Sequence, residues 1–175
     1  MSNLFLIGYR CTGKTTIGRL VAQRLQWQIE DADDALEKTS GRSIKAIFAA
    51  DGEPHFRDLE VETIGRLSQL DQHVISLGGG AVLRAENRAA IQPHRSVWLQ
   101  ASIETIWRRM TGDASNDARR PPLTDHDDYQ EIEQLLALRE PLYRQCADFS
   151  VDTDGKTPDE IADEIVRLID GAPAA

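Results

Sequence analysis

The chain is poor in several things, and each shortage removes a class of protein. Only two cysteines, Cys11 and Cys146, occur in 175 residues, too few for a disulfide framework or a thiolate metal site. No apolar run approaches the roughly 20 residues that a bilayer-spanning helix needs. The N-terminus has no charged stretch followed by an apolar one, so no signal peptide is expected and the cytoplasm is the expected location. Positive charge is also short: the formal net charge is −9, which argues against broad electrostatic capture of nucleic acid. Lysine is scarce within that small basic set. Of 20 basic residues only Lys14, Lys38, Lys45 and Lys156 are lysine. Arginine, whose planar fork suits carboxylates and phosphates, supplies the rest.

What is present is a phosphate-binding signature. Gly8 to Thr16 reads Gly-Tyr-Arg-Cys-Thr-Gly-Lys-Thr-Thr and fits G-x-x-x-x-G-K-[ST] between an apolar run and a helical segment. Cys11, Thr12 and Gly13 form the loop that turns backbone N–H groups toward phosphate oxygens, helped by the start of the next helix. Lys14 is placed to reach the β and γ phosphates, Thr15 to ligate Mg²⁺, and Thr16 to bond a further phosphate oxygen. A polyphosphate is the expected ligand and Mg²⁺ the expected cofactor.

Short apolar strands alternate with amphipathic helices, which predicts an α/β, three-layer fold: a five-stranded parallel sheet flanked by helices. Strands are expected at 3–7, 27–30, 73–77, 96–99 and 149–152. Helices are expected at 16–25, 34–39, 43–50, 53–70, 84–91, 103–110, 129–143 and 158–169, with Asp51-Gly52 separating two of them. The polar, proline-bearing stretch 111–128 is the longest irregular one, and loops of that length are usually functional or disordered.

Asp31 and Asp33 follow the second strand, at the end where open parallel sheets place ligands. In an extended Asp-x-Asp both carboxylates share a side, one suited to Mg²⁺ through water and one to a substrate hydroxyl. Capping of the next helix by Asp33 or Asp34 is the competing reading. No apolar run ends in the usual second acidic Mg²⁺ ligand, which favours Asp31 for that task.

The motifs resemble the shikimate kinase family from end to end: the cradle running into Ile17-Gly18-Arg19, Asp31-Ala32-Asp33, Ser43-Ile44, Gly52-Glu53, Phe56-Arg57, Gly78-Gly79-Gly80, Arg120-Pro121, Arg139 with Pro141-Leu142-Tyr143, and Asp152-Thr153. The resemblance implies one domain over 1–175, with a substrate-binding segment near 31–60 and a lid near 111–128. It implies transfer of the ATP γ-phosphate to the shikimate 3-hydroxyl, and a monomer is expected. By matching positions, Asp33 would bind the shikimate hydroxyls, Arg57 and Arg139 its carboxylate, and Gly79 and Gly80 would contact it through backbone. Arg120 would belong to the lid, Arg109 would lie against adenine, and Asp31 would support Mg²⁺. Lys14, Asp33 and Arg120 are thus the catalytic candidates, with Asp33 either removing the hydroxyl proton or only orienting it.

The chain departs from the family pattern at Cys11 and Thr12, where small residues are common, and at Pro122, where leucine is frequent. Rival readings are a kinase of another small molecule, such as gluconate or a nucleoside monophosphate, and a GTP-dependent switch. An Asn-Lys-x-Asp guanine motif is missing, and the Asp-x-x-Gly at Asp152–Gly155 comes too late for a phosphate sensor. Arg57 and Arg139 are what separate shikimate from the other small acceptors.

Overall fold

Strand β1 (Leu4–Ile7) alternates its side chains between two faces and is buried on both, the pattern of a central strand in a parallel sheet. The computed structural model describes residues 3–112 and 128–171. Among these, β1, β2 (Gln28–Asp31), β3 (His73–Ser76), β4 (Arg95–Gln100) and β5 (Phe149–Asp152) form one parallel sheet ordered β2-β3-β1-β4-β5. Leu6 lies opposite Ser76 on one side and Val97 on the other.

Helices cover both faces. Leu4 and Leu6 join Val21, Val97, Val151, Ile161 and Ile165 on the face covered by α1 (Lys14–Leu25) and the closing helix, here α7 (Pro158–Asp170). Phe5 and Ile7 join Ile64, Ile75, Trp98 and Tyr143 on the other face. That face carries α3 (Ile44–Leu67), α4 (Ala85–Ile91) and α6 (Asp128–Cys146). Helices α2 (Ala32–Ser40) and α5 (Ile103–Gly112) complete the set among the described residues.

Local signals explain most boundaries. Thr157 and Glu160 form a reciprocal capping box with Pro158 at the first turn of α7, which satisfies two otherwise orphaned N–H groups. Ser43 caps α3 by accepting from Ala46 N–H. Gly52, at φ 79 and ψ 175, breaks α3 into two helices where Asp51-Gly52 was expected to.

The segment after β2 corrects the sequence expectation. Helix α2 starts at Ala32 rather than Asp34, so Asp33 lies in its first turn and not in an extended stretch. The cap is Asp31, neither Asp33 nor Asp34: its Oδ1 accepts from Asp33 N–H at 3.0 Å and Asp34 N–H at 3.4 Å. A carboxylate at a helix N-terminus satisfies those donors and meets the positive end of the dipole, and so starts the helix early. A 3₁₀ turn at Ala81–Leu83 and the extension of α6 to Cys146 were not foreseen. Most of the proposed lid, 113–127, with Arg120 and Pro122, lies outside the described residues.

Candidate active site

The loop between β1 and α1 has left-handed backbone at Gly8 (φ 142), Cys11 (φ 61) and Gly13 (φ 90). These values aim successive N–H groups into one concavity, which the N-terminus of α1 extends. Cys11 adopts the left-handed region without being glycine, at a conformational cost of about 1 kcal/mol. Thr12 Oγ1 donates to Tyr9 O at 2.8 Å and braces the loop from inside. Lys14, only 9% exposed, donates from Nζ to Gly8 O at 2.9 Å and Tyr9 O at 2.7 Å. Its ammonium therefore lies across the mouth of the cradle. Thr16 is exposed on the first turn.

Three oxygens meet beside the cradle. Thr15 Oγ1 donates to Asp31 Oδ2 at 2.7 Å and lies 3.3 Å from Ser76 Oγ. Asp31 thus caps α2 with one oxygen, a role expected of Asp33 or Asp34, and faces Thr15 with the other. A carboxylate and two hydroxyls are hard donors of the kind Mg²⁺ takes, and the residues present fit that ion. Ser76, at the end of β3, was not anticipated; its position at the carboxyl edge of the strand next to β1 is the signal that marks it.

Arg109, on α5, reaches back to the opposite rim. Its Nη1 donates to Cys11 O at 3.2 Å and Thr153 Oγ1 at 3.3 Å, and its Nη2 to Thr153 O at 3.4 Å. Asp154 lies next to it. Burial alone would raise that carboxyl, but hydrogen bonds from Ser102 and Thr105 and the Arg109 charge outweigh burial and hold it below the usual carboxylate range.

The second half of the site is built on two buried guanidiniums. Arg57, 8% exposed, donates from Nη1 to Glu60 Oε2 at 2.8 Å and from Nη2 to Glu53 Oε1 at 3.0 Å. Glu53 and Glu60 were missed, although their i−4 and i+3 spacing on a helix is the pattern that pairs such charges. Gly80 lies against the same fork: a Cβ there would meet Arg57 Nη1 at 2.7 Å and Cζ at 2.8 Å. Gly79 packs on the cradle, where a Cβ would lie 3.1 Å from Arg10 N. Tyr143, fully buried and stacked on Trp98 at 5.7 Å, donates its hydroxyl to Gly79 O.

Arg139, one turn before Tyr143 on α6, is 5% exposed, and its Nε has no hydrogen-bond partner among the described residues. Its Cζ stands 5.6 Å from the centre of the Tyr9 ring. Burial pushes the Tyr9 phenol up, while the charges of Arg10 and Arg139 pull it the other way. The Gly78-Gly79-Gly80 turn thus touches Arg57, Tyr143 and the cradle at once. Asp33 stands half-buried in the first turn of α2, two residues beyond the carboxylate that touches Thr15.

A glycine-turned cradle with its lysine, a hydroxyl–carboxylate pair beside it and buried arginines next to it define the chain as a P-loop kinase, an enzyme that moves a nucleotide's phosphoryl group to a small acceptor. The shikimate kinase family model matches residues 10–170. Shikimate kinase from Rhodopirellula baltica is 43% identical over 166 residues, covering 94% of this chain and 89% of that one. Shikimate kinase from Pseudomonas savastanoi pv. phaseolicola is 40% identical over 174 residues, 99% of each chain. The solved structure of shikimate kinase from Acinetobacter baumannii in complex with shikimate superposes with a TM-score of 0.90 at 32% identity, covering 97% of this chain and 93% of that one. The chain belongs to the shikimate kinase family.

Proposed function

We infer that this enzyme transfers the γ-phosphoryl group of ATP to the 3-hydroxyl of shikimate, giving shikimate 3-phosphate and ADP. The observation that carries this reading is the pair of buried guanidiniums beside the cradle, and above all Arg139, whose buried Nε lacks a partner among the described residues. An unpaired buried donor on a cation is costly, and an anionic acceptor such as the shikimate carboxylate relieves it. Gluconate also carries a carboxylate, so the choice of shikimate over it is supported by the match of residues 10–170 to the shikimate kinase family.

In the transfer the new P–O bond forms at the acceptor oxygen, the bond to the β-phosphate bridging oxygen breaks, and the hydroxyl proton leaves. Arg57 and Arg139 hold the carboxylate, and Gly79 and Gly80 meet the ring through backbone. Asp33 orients the 3-hydroxyl and is placed to accept its proton. Cys11, Thr12, Gly13 and Thr16 contribute the cradle's donors, Lys14 neutralises charge on the transferred group, and Arg109 lies against adenine. Thr15 and Asp31 would hold Mg²⁺, which when bound offsets charge on the phosphate oxygens. Arg120 belongs to a lid at 111–128 that closes over the phosphates, and residues 31–60 form the substrate-binding segment of a single domain. The enzyme works as a monomer in the cytoplasm. Among the described residues no helix is long and apolar enough to cross a membrane.

The test is coupled ADP release with shikimate, gluconate and nucleoside monophosphates as acceptors, with the product read by phosphorus NMR. Turnover with shikimate alone, yielding the 3-phosphate, is expected; faster turnover with gluconate would overturn the assignment.

A further inference from the structure

Tyr9 stands inside the phosphate cradle, between the two glycines of the signature, yet its side chain belongs elsewhere. It is 1% exposed and packs with Ile106 and Ile132, flanked by Leu135 and Leu136. Three of those residues lie on α6, the helix that carries Arg139. The ring thus spans the gap between the loop that meets nucleotide and the helix that meets the acceptor. Two guanidiniums face it, Arg139 at 5.6 Å and Arg10 at 5.8 Å from its centre. They are unequal. Arg10 is held by Glu131, also on α6, through a 2.8 Å ion pair in which the carboxylate is 1% exposed. Arg139 has no carboxylate within ion-pair distance among the described residues, and its Nε is unpartnered.

A buried arginine without an anion needs something to fix its direction, and an aromatic face does so without neutralising it. A carboxylate neighbour would hold it more firmly but would compete with an anionic substrate, as Glu53 and Glu60 do in part at Arg57.

We propose that Tyr9 is a positioning residue for Arg139: the π face of the cradle's own tyrosine holds that guanidinium aimed and still charged for the acceptor's carboxylate, so that the nucleotide loop sets acceptor affinity. The Arg10–Glu131 pair keeps loop and helix in register for this contact. The inference rests on the proposed role of Arg139 in shikimate binding.

The test replaces the ring's electrostatics while keeping its volume. Phenylalanines carrying zero to three ring fluorines are incorporated at position 9 of the full-length protein, and shikimate and ATP dissociation constants are measured separately by calorimetry. Shikimate affinity should fall stepwise with fluorination, by about 3- to 10-fold across the series, while ATP affinity stays within about twofold. In an Arg139→Ala background the series should be flat. Equal loss of both ligands, or the same fluorine dependence without Arg139, would show that Tyr9 only packs and would overturn the proposal. Flat shikimate affinity in the presence of Arg139 would also overturn it. An Arg139→Ala enzyme that binds shikimate normally would overturn the carboxylate assignment as well, which separates the two failures.

Discussion

Replacing Gly80 by alanine should damage acceptor binding without touching the chemistry of the nucleotide. Gly80 has φ −97 and ψ −1, a conformation open to any residue, so alanine carries no backbone penalty there. The obstacle is the Arg57 fork, since the added methyl would sit 2.4 Å from Nη2 and 2.7 Å from Nη1. Reaching an ordinary 3.4 Å contact requires the two nitrogens to retreat by about 1 Å and about 0.7 Å. They cannot do so freely, because Glu60 holds Nη1 at 2.8 Å and Glu53 holds Nη2 at 3.0 Å. A shift of that size breaks either those bonds or the fork's alignment with a carboxylate. Loss of one charge-assisted pair costs about 1.5–3 kcal/mol, which corresponds to about 10- to 100-fold in shikimate affinity. Titration of shikimate and of ATP into Gly80→Ala reads this directly. Unchanged shikimate affinity, or an equal loss of ATP affinity, would refute the reasoning.

Arg120→Ala should lower turnover strongly with a smaller change in shikimate affinity, and Arg120→Lys should restore only part, because a point charge does not reproduce a two-oxygen contact; steady-state turnover of the two variants checks this. Burial holds His94 below the usual imidazole range. The unfolded chain therefore takes up a proton there first as pH drops through about 6.5, so stability present above that pH is lost below it. Between pH 7.5 and 5.5 the thermal midpoint should fall further for the wild type than for His94→Gln.

The cradle and the five parallel strands were legible because they depend on spacing along the chain: glycines at fixed offsets and apolar runs alternating with helical periodicity. Strand β2 was displaced by one residue and α2 began two residues early, because a single side chain, Asp31, both ends the strand and caps the helix. Nothing in local composition distinguishes that aspartate from Asp33 or Asp34 as the cap. The neighbours of the key arginines divide the same way. Glu53 and Glu60 are readable from helical spacing, whereas Tyr9 and Tyr143 reach Arg139 and Gly79 across the fold and leave no periodic trace. The pairing of Arg10 with Glu131, 121 residues apart, is likewise set by tertiary packing.

The central claim is that Arg57 and Arg139 read an acceptor carboxylate next to the phosphate cradle. Comparing kcat/KM for shikimate and for its methyl ester, in the wild type and in Arg139→Ala, tests it most directly. The wild type should favour the acid by about 10- to 100-fold, the worth of a charge-assisted pair, and Arg139→Ala should lose most of that preference by weakening on the acid alone. Equal activity of the wild type on acid and ester, or undiminished discrimination without Arg139, would contradict the account.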